Sequence, residues 1–393
     1  MRAEIITIGD ELLIGQVVDT NSAWMAEHLN EVGISLHQIT SVHDNREHIL
    51  KALDEAFSRA DIVLTTGGLG PTKDDITKHV MCEYFGTSLV EDSHVRAHVH
   101  ELYKDRPEAL NRLTATQWLV PESATILPNR VGSAPIMVFE NEVKGERREA
   151  MDIVHKTILV HGIPESKLAI LIEDWENALP SSIHLAYLPK DGIIRLRLST
   201  YGEATEDELQ SHIDTLLPLI RDYLLVEEDI SLEALAGRLL SQQGMTIATA
   251  ESCTGGRLAA ALNAQSGSSA YYMGSVVAYD NSVKTNILGV SPETLNSEGA
   301  VSESTVRQMA EGVRTLLHTD YAIATSGIAG PTGGTPDKPV GTVWIAWATP
   351  NGTEAQCFHF GAAREREQIT LRAVTEALVR LVKTLSTQSA AGC

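Results

Sequence analysis

Five segments near the N-terminus decide the fold class: AEIITIG (3–9), TNSAWMAEHLNEVG (20–33), ISLHQITSV (34–42), REHILKALDEAFSR (46–59) and DIVLTTGG (61–68). The first, third and last are short and apolar, as buried strands are, while the other two carry apolar residues at helical spacing. Strands that alternate with helices predict a parallel sheet covered on both faces. Ligands are then expected where loops leave the carboxyl ends of the strands, here after residues 8 and 66. In the first helix, the spacing places Trp24, Met25, His28, Leu29 and Val32 on one face.

Two further patterns follow along the chain. Residues 153–226 contain short strands and two helices, which predicts a small α+β module without a cluster of catalytic residue types. From SLEALAGRLLSQQG (231–244) onward, strands again alternate with helices and predict a second α/β domain. Between about residues 134 and 152 the pattern breaks down, so we expect a domain boundary or a damaged edge there. The predicted domains are residues 1–150, 151–227 and 228–393.

Composition excludes several classes of protein. The 393 residues include 31 Lys and Arg but 52 Asp and Glu, and the resulting net charge of −21 disfavours direct contact with nucleic acids or anionic membranes. The cysteines lie far apart, which argues against a disulfide framework or a cysteine-rich zinc site. MRAEIITIGDELL lacks the features of a signal peptide, and no apolar run is long enough to span a bilayer. We therefore expect a cytoplasmic protein with no membrane contact. The four cysteines are Cys82, Cys253, Cys357 and Cys393.

A first candidate site is AESCTGG (250–256), where a strand turns into a helix. The first N–H groups of a helix have no partner within it, so they attract negative charge. Ser252 could attack a carbonyl there while the N–H groups of Thr254 and Gly255 stabilise the oxyanion, and Gly256 permits close backbone approach. Alternatively, Ser252 or Thr254 only caps the helix. Cys253 is a rival nucleophile, although such a cysteine is more often a small buried residue.

The same domain offers a base and a binding loop. No Ser-His-Asp pattern is found, but Lys284 could replace histidine if burial lowers its pKa, with Tyr279 relaying a proton or orienting the amine. A solvated surface lysine is the alternative. The segment SGIAGPTGG (326–334), followed by Lys338, suits a phosphate or carboxylate through its N–H groups, although it is not a P-loop. A flexible linker is the alternative reading of that loop.

A third constellation lies in the N-terminal domain. Glycines that follow the first and third strands suit a phosphate, and nearby carboxylates could hold Mg²⁺ for pyrophosphate chemistry. The aspartates next to the third strand could instead merely cap the following helix. The candidate metal ligands in this constellation are Asp10, Asp74 and Asp75.

These motifs together resemble the CinA family (competence/damage-inducible protein A) over nearly the whole chain. GDELLIGQVVDTNS (9–22) and TTGGLGPTKDDIT (65–77) are similar to the family's MoaB/MogA-like N-terminal domain. HGIPESKLA (161–169) and IHLAYLPKDGIIRLRL (183–198) resemble its KH-like module. AESCTGGRLAA (250–260), VVAYDNSVKTNILGV (276–290), EGAVSESTV (298–306) and ATSGIAGPTGGTPDKPVGTVWIA (324–346) resemble its C-terminal amidase domain.

The resemblance implies an activity for the C-terminal domain. It implies hydrolysis of nicotinamide mononucleotide to nicotinic acid mononucleotide and ammonia, a step of pyridine nucleotide salvage, without a cofactor. Ser252 would be the nucleophile and Tyr279 and Lys284 the activating pair. Arg364 or Arg366 would be a basic partner, and the spacing does not choose between them. The other implied contacts with substrate are Thr254, Gly255, Gly256, Ser269, Gly327, Gly330, Thr332, Gly333, Gly334 and Lys338.

For the N-terminal domain the resemblance implies a divalent-metal-dependent ADP-ribose pyrophosphatase. Its implied metal ligands are Asp10, Asp19, Asp74 and Asp75, and its nucleotide contacts are Gly9, Asn21, Gly67 and Gly68. The family pattern continues after VFE (138–140) with a strand and a Leu-Pro-Gly-Val-Pro segment, whereas this chain runs ENEVKGERREAMDIVHKT (140–157). The last strand region of the domain is therefore expected to be missing, which would expose a sheet edge and remove ligand contacts. A non-enzymatic role in competence or DNA damage, through a protein partner, is a further alternative, and we expect a homodimer.

Overall fold

A computed structural model describes residues 1–70, 72, 75–105, 110–111, 114–130, 132–140, 154–200 and 204–391. The chain forms two compact units. Unit 1 comprises residues 1–155 and 200–204, and unit 2 comprises residues 156–199 and 205–393. No helix within the described residues is both long and apolar enough to cross a membrane.

Unit 1 is built around a parallel sheet of order β2-β1-β3. Strand β1 is buried on both faces, because Ile6 and Ile8 pack with Ile49 of one helix while Ile5 packs with Leu29 of another. Unit 1 also contains two short antiparallel strand pairs, β4 with β5 and β6 with β7. The elements of unit 1 are β1 (Arg2–Ile8), α1 (Asp10–Leu13), α2 (Thr20–Glu31), β2 (Ser35–Val42), α3 (Arg46–Arg59), β3 (Ile62–Thr66), α4 (Thr77–Tyr84), β4 (Leu89–Glu91), α5 (Ser93–Leu102), a 3₁₀ turn (Thr114–Trp118), β5 (Leu119–Pro121), β6 (Thr125–Leu127) and β7 (Ile136–Val138).

Unit 2 begins with a four-stranded sheet of order β11-β8-β10-β9. The segment before α6 and the β9–β10 hairpin of this module line a cavity of unit 2. Helix α7 begins with a capping box in which Thr205 and Glu208 satisfy each other's backbone N–H groups. The elements are β8 (His155–His161), α6 (Glu165–Asn177), β9 (Ile183–Lys190), β10 (Ile193–Thr200), α7 (Glu206–Ile220) and β11 (Leu224–Val226).

The rest of unit 2 is a five-stranded sheet of order β13-β12-β14-β15-β16. Strand β12 lies between two parallel neighbours, while β15 and β16 are antiparallel. One face packs on α8 and α13 and the other on α12. The elements are α8 (Leu232–Gln243), β12 (Ile247–Glu251), α9 (Arg257–Asn263), a 3₁₀ turn (Ser268–Ala270), β13 (Tyr272–Val277), α10 (Asn281–Asn286), α11 (Pro292–Ser297), α12 (Glu303–Leu317), β14 (Tyr321–Gly327), β15 (Thr342–Thr349), β16 (Gly352–His359) and α13 (Arg366–Ala391).

The α/β class and the alternation of elements agree with the sequence prediction. The expected loss of a strand region near residues 140–152 lies almost wholly outside the described residues. One helix face differs from the prediction, because the side chains of Trp24 and Val32 are 61% and 64% exposed while only Leu29 of that set is buried. The helix packs on the sheet through Met25, Ala26 and Leu29, while Val32 lies at its C-terminal cap.

Candidate functional site

The turn after β12 is held by a buried carboxylate. Glu251, the last residue of β12, is fully buried. Its Oε2 accepts hydrogen bonds from Thr254 Oγ1 at 2.7 Å, Gly256 N at 3.0 Å and Leu258 N at 3.1 Å, and its Oε1 accepts one from Ala259 N at 2.7 Å. The carboxylate thus satisfies N–H groups at the start of α9 and lies at the positive end of that helix.

The same turn fixes the backbone around Ser252. Gly255 and Gly256 have φ values of 62° and 99°, which are left-handed conformations that favour glycine. Ser252 N donates to Thr325 O of the neighbouring strand at 2.9 Å, and Gly255 N donates to Ser252 O at 3.3 Å. Within the described residues the N–H groups of Cys253 and Thr254 donate to no other residue.

Lys284 is a buried lysine in this domain. Its side chain is 1% exposed, and Nζ donates to Ala278 O at 2.7 Å and to Tyr279 O at 3.0 Å. Burial lowers the pKa of Lys284 below its ordinary value, and the nearby Asp280 opposes this shift. A neutral amine has two N–H bonds for the two carbonyls and keeps one lone pair. The sequence alternative of a solvated surface lysine does not describe this residue.

A cavity of about 250 Å³ brings the predicted groups together. Ser252, Tyr279 and Lys284 lie on its wall with part of the glycine-rich loop. Tyr279 is 67% exposed, at the mouth of the site rather than in its interior. The predicted residues that line the cavity are Ser252, Tyr279, Lys284, Gly327, Gly330, Thr332, Gly333 and Arg366.

Other predicted contacts lie away from this cavity. Arg364 lines a different cavity. Arg366, by contrast, lines this one, and its Nη1 donates to Gly330 O at 2.9 Å. Lys338 Nζ donates to Glu298 O at 2.8 Å, and Ser269 is an exposed residue of a 3₁₀ turn. Gly334 is not among the lining residues, nor are Thr254, Gly255 and Gly256, which shape the turn behind the cavity.

Cys253, the rival nucleophile, is unsuited to attack. It is 6% exposed, and burial raises the pKa of its thiol to about 12. The thiol therefore stays protonated at neutral pH, while a thiolate is the reactive form of cysteine. Its side chain contributes to the hydrophobic core around α8 and α13.

Several functional candidates were missed by sequence reasoning. Glu251 was passed over although it precedes Ser252 directly, because an acidic residue at a strand end gives no sign of pointing into the following helix. Asn281 and the backbone segment at Ala300 and Val301 also line the cavity. The signal that was available for Asn281 is its place between Tyr279 and Lys284 in the quoted motif.

In unit 1, the predicted metal ligand Asp10 lies near other acidic side chains at the carboxyl ends of β1 and β2. Asp10 Oδ1 lies 2.7 Å from His43 Nδ1, and Asp10 N donates to Asp44 Oδ2 at 3.2 Å. Burial raises the pKa of the Asp44 carboxyl; the hydrogen bond from Asp10 N lowers it, and the charges of Asp10, Glu11 and Asp75 raise it further. His43 and Asp44 were not predicted as part of this site.

The predicted metal ligands have other partners in the structure. Asp19 caps α2 by accepting from Ser22 N, and Asp75 accepts from Gly70 N and Thr72 N. Asp74 lies outside the described residues. Among the residues that are described, no three His, Cys, Asp or Glu side chains are grouped as metal ligands. The divalent-cation site, which includes Asp74, stays a prediction.

The predicted nucleotide contacts lie at the expected edge. Asn21 Nδ2 donates to Thr66 Oγ1 at 3.4 Å, and Gly9 N donates to Val42 O at 3.1 Å. Gly67 follows β3 and lies against β1, where a Cβ atom would come within 1.8 Å of Ile8 O. The structure therefore brings Gly9, Asn21, Gly67 and Gly68 to the carboxyl ends of the parallel strands, as the strand order predicts.

The fold and these sites define a multidomain α/β protein, and comparison with known proteins identifies the class of each part. Residues 4–170 match the family described as "Probable molybdopterin binding domain". Residues 155–225 match "Damage-inducible protein CinA KH domain", and residues 229–385 match "CinA C-terminal domain". The N-terminal part is thus MoaB/MogA-like, the middle module KH-like and the last part a CinA C-terminal domain.

Full-length relatives identify the family. A CinA-like protein of Flavobacterium psychrophilum is 42% identical, with 98% of this chain and 98% of the relative covered. A CinA-like protein of Cytophaga hutchinsonii is 43% identical, with 97% of each covered. A crystal structure of the competence damage-inducible protein A from Klebsiella pneumoniae is 44% identical over 39% of this chain and 95% of its own, with a TM-score of 0.38. The chain belongs to the CinA family.

Proposed function

We propose that unit 2 hydrolyses the amide of nicotinamide mononucleotide, giving nicotinic acid mononucleotide and ammonia. The observation that carries this proposal is the single cavity wall on which Ser252, Tyr279 and Lys284 meet the glycine-rich loop. A nucleophile, a buried amine and a loop of backbone N–H groups are the parts that hydrolysis of a phosphorylated amide requires.

Ser252 and Lys284 divide the chemistry between them. The neutral Lys284 amine accepts the proton of Ser252 as Oγ attacks the amide carbon, and a tetrahedral intermediate forms. The lysine then returns the proton to the leaving nitrogen, so the C–N bond breaks and ammonia departs. Water attacks the resulting ester by the same route and releases the carboxylate. Tyr279, at the cavity mouth, orients the amine or the entering substrate.

Backbone groups and Arg366 would hold the substrate. The N–H group of Cys253, which lines the cavity, would donate to the oxyanion. Of the two donors expected from the sequence, Gly255 N is bonded to Ser252 O, and Thr254 does not line the cavity. The loop from Gly327 to Gly333 and the guanidinium of Arg366 would receive the phosphate. Lys338, bonded to Glu298 O, would need to leave that carbonyl to take part.

Replacing the nucleophile tests the proposal. In the full-length protein, Ser252→Ala should lower kcat for ammonia release by at least about a thousandfold, because no attacking oxygen remains. Nucleotide binding, measured by calorimetry, should be nearly unchanged. Ser297→Ala, on the exposed end of α11, is the matched control and should retain full activity. Equal turnover by the wild type and Ser252→Ala would disprove the proposal.

A metal-dependent ADP-ribose pyrophosphatase in unit 1 is the second candidate. This candidate is favoured by the acidic residues around Asp44, since the charges of Asp10, Glu11 and Asp75 raise the pKa of the Asp44 carboxyl. Such a cluster attracts a divalent cation, and the adjacent glycines suit a phosphate. The candidate is weaker than the amidase because Asp19 caps α2 and Asp75 accepts hydrogen bonds from Gly70 N and Thr72 N.

A further inference from the structure

A second cavity in unit 2 is larger than the one at Ser252. Its volume is about 600 Å³, compared with about 250 Å³. Its walls come from the segment before α6, the β9–β10 hairpin and the start of α13. The wall includes Arg364, which the family resemblance associates with the amidase substrate. None of its lining residues belongs to the Ser252 cavity.

Three cations on this wall lack an anionic partner. Within the described residues the side chains of Lys190 and Arg372 make no hydrogen bond or ion pair, and the side chain of Arg364 donates only to Phe360 O. In a chain of net charge −21, acids are abundant enough to pair surface cations. The wall also carries the carboxylates of Glu165, Asp191 and Glu376, but within the described residues none of them pairs with these cations. The cations are therefore available to an anion, and arginine guanidinium groups match phosphate oxygens in geometry.

The β9–β10 turn fixes two of these cations on the same wall. Asp191 and Gly192 have φ values of 48° and 97°, as in the two-residue hairpin turns that favour an Asp-Gly pair. A Cβ atom at Gly192 would lie 2.1 Å from Arg372 Nη1, so the guanidinium lies directly against the turn. The turn thus packs Arg372 against the hairpin that carries Lys190.

The other lining groups indicate more than a simple anion. Ile163, Pro189 and Ile194 supply apolar surface for a flat ring, and the carboxylates of Glu165 and Asp191 can accept hydrogen bonds from hydroxyl or amino groups. His161 Nε2 pairs with Glu376 Oε1 at 3.1 Å, while its buried Nδ1 has no partner among the described residues. A volume of about 600 Å³ also exceeds what a phosphate ion needs.

We propose that this cavity binds a nucleoside monophosphate. The phosphate would lie against Lys190, Arg364 and Arg372, the base against the apolar residues, and the ribose hydroxyls within reach of Glu165 or Asp191. This combination of one phosphate, one flat ring and several hydroxyl groups matches all three kinds of lining. The proposal does not depend on the amidase chemistry, because none of these residues takes part in it.

Calorimetric titration of the full-length protein with AMP, adenosine and inorganic phosphate tests this site. AMP should bind more tightly than either fragment. Arg372→Gln, and independently the exposed Lys190→Gln, should weaken AMP binding by about tenfold or more. Arg380→Gln removes a positive charge elsewhere on the same helix, and it should leave the affinity within about twofold. Arg366→Gln removes a proposed phosphate contact of the Ser252 cavity and should bind AMP like the wild type, which separates this site from the proposed active site.

Three outcomes would overturn the proposal. The first is no measurable AMP binding by folded wild-type protein. The second is an AMP affinity that stays the same in both Arg372→Gln and Lys190→Gln. The third is adenosine binding as tightly as AMP, because the cations would then contribute nothing. Circular dichroism of each variant confirms that a lost affinity does not reflect unfolding.

Discussion

The buried amine of Lys284 makes a pH prediction at the scale of one residue. Burial lowers the pKa of Lys284, and only the neutral amine can accept the proton of Ser252. The value of kcat/KM for nicotinamide mononucleotide should therefore rise with pH, through a limb that lies below the ordinary lysine pKa, and then level off. A pH–rate profile between about pH 6 and pH 9 measures this.

Substitution of Lys284 separates its role from that of other ionisable groups. Lys284→Met keeps the length of the side chain and should lower kcat by about 10²–10⁴ at every pH, with the rising limb lost. A variant that retains the limb would contradict the assignment of Lys284 as the base. The exposed Lys383→Met, on α13, is a control that should leave both the rate and the profile unchanged.

At this scale, sequence motifs identified residues of the candidate site but not the groups that support them. Ser252, Tyr279 and Lys284 were predicted as one site, and the structure places all three on one cavity wall. Glu251 escaped notice because its contribution depends on where α9 begins and how the turn folds back. The choice between Arg364 and Arg366 also required coordinates, since residues two apart at a helix start can face different cavities.

The β12–α9 turn gives a stability prediction at the scale of elements. Glu251→Gln replaces one carboxylate oxygen by an NH₂ group, which faces N–H donors and leaves buried N–H groups unpaired. A loss of about 1–3 kcal/mol is expected. The thermal midpoint should fall by about 2–4 °C for each kcal/mol lost. Differential scanning calorimetry measures the shift, and Glu311→Gln on the exposed face of α12 should produce none.

The activity of Glu251→Gln tests the same turn independently. The buried carboxylate positions Ser252 without touching substrate, so kcat for ammonia release should fall with little change in KM. A variant that unfolds at the wild-type temperature and turns over at the wild-type rate would show that the carboxylate does not hold the turn. The effect on kcat is expected because a displaced nucleophile loses its alignment with the amide carbon.

Element boundaries were predicted best where apolar periodicity and end signals agree. Helix α3 begins at Arg46 and ends at Arg59, as its spacing predicts, and Asn45 caps it by accepting from the N–H groups of Glu47 and His48. The apolar stripe of α2 predicted a wider contact than exists, because periodicity indicates which residues share a face but not how much of that face is covered. Trp24 instead stacks on His28 near the surface, with ring centroids 3.8 Å apart.

For the whole molecule, the two candidate chemistries belong to different units. Every residue that lines the Ser252 cavity lies in unit 2, whereas the acids around Asp44 lie in unit 1. The order of strands and helices was enough to predict this separation of α/β folds. The expected loss of a strand region near residues 140–152 stays a prediction, because residues 141–153 lie outside the described part of the chain.

The division of chemistry between the units predicts opposite responses to a chelator. Excess EDTA should leave ammonia release from nicotinamide mononucleotide within about twofold, because a serine and a lysine need no metal. Any ADP-ribose cleavage by the same preparation should stop, since a pyrophosphatase of this kind depends on a divalent cation held by carboxylates. Asp10→Asn should abolish only ADP-ribose cleavage, whereas Asp105→Asn, an exposed residue of unit 1, should alter neither reaction. Loss of both activities through EDTA or through Asp10→Asn alone would show that the two sites are not chemically independent.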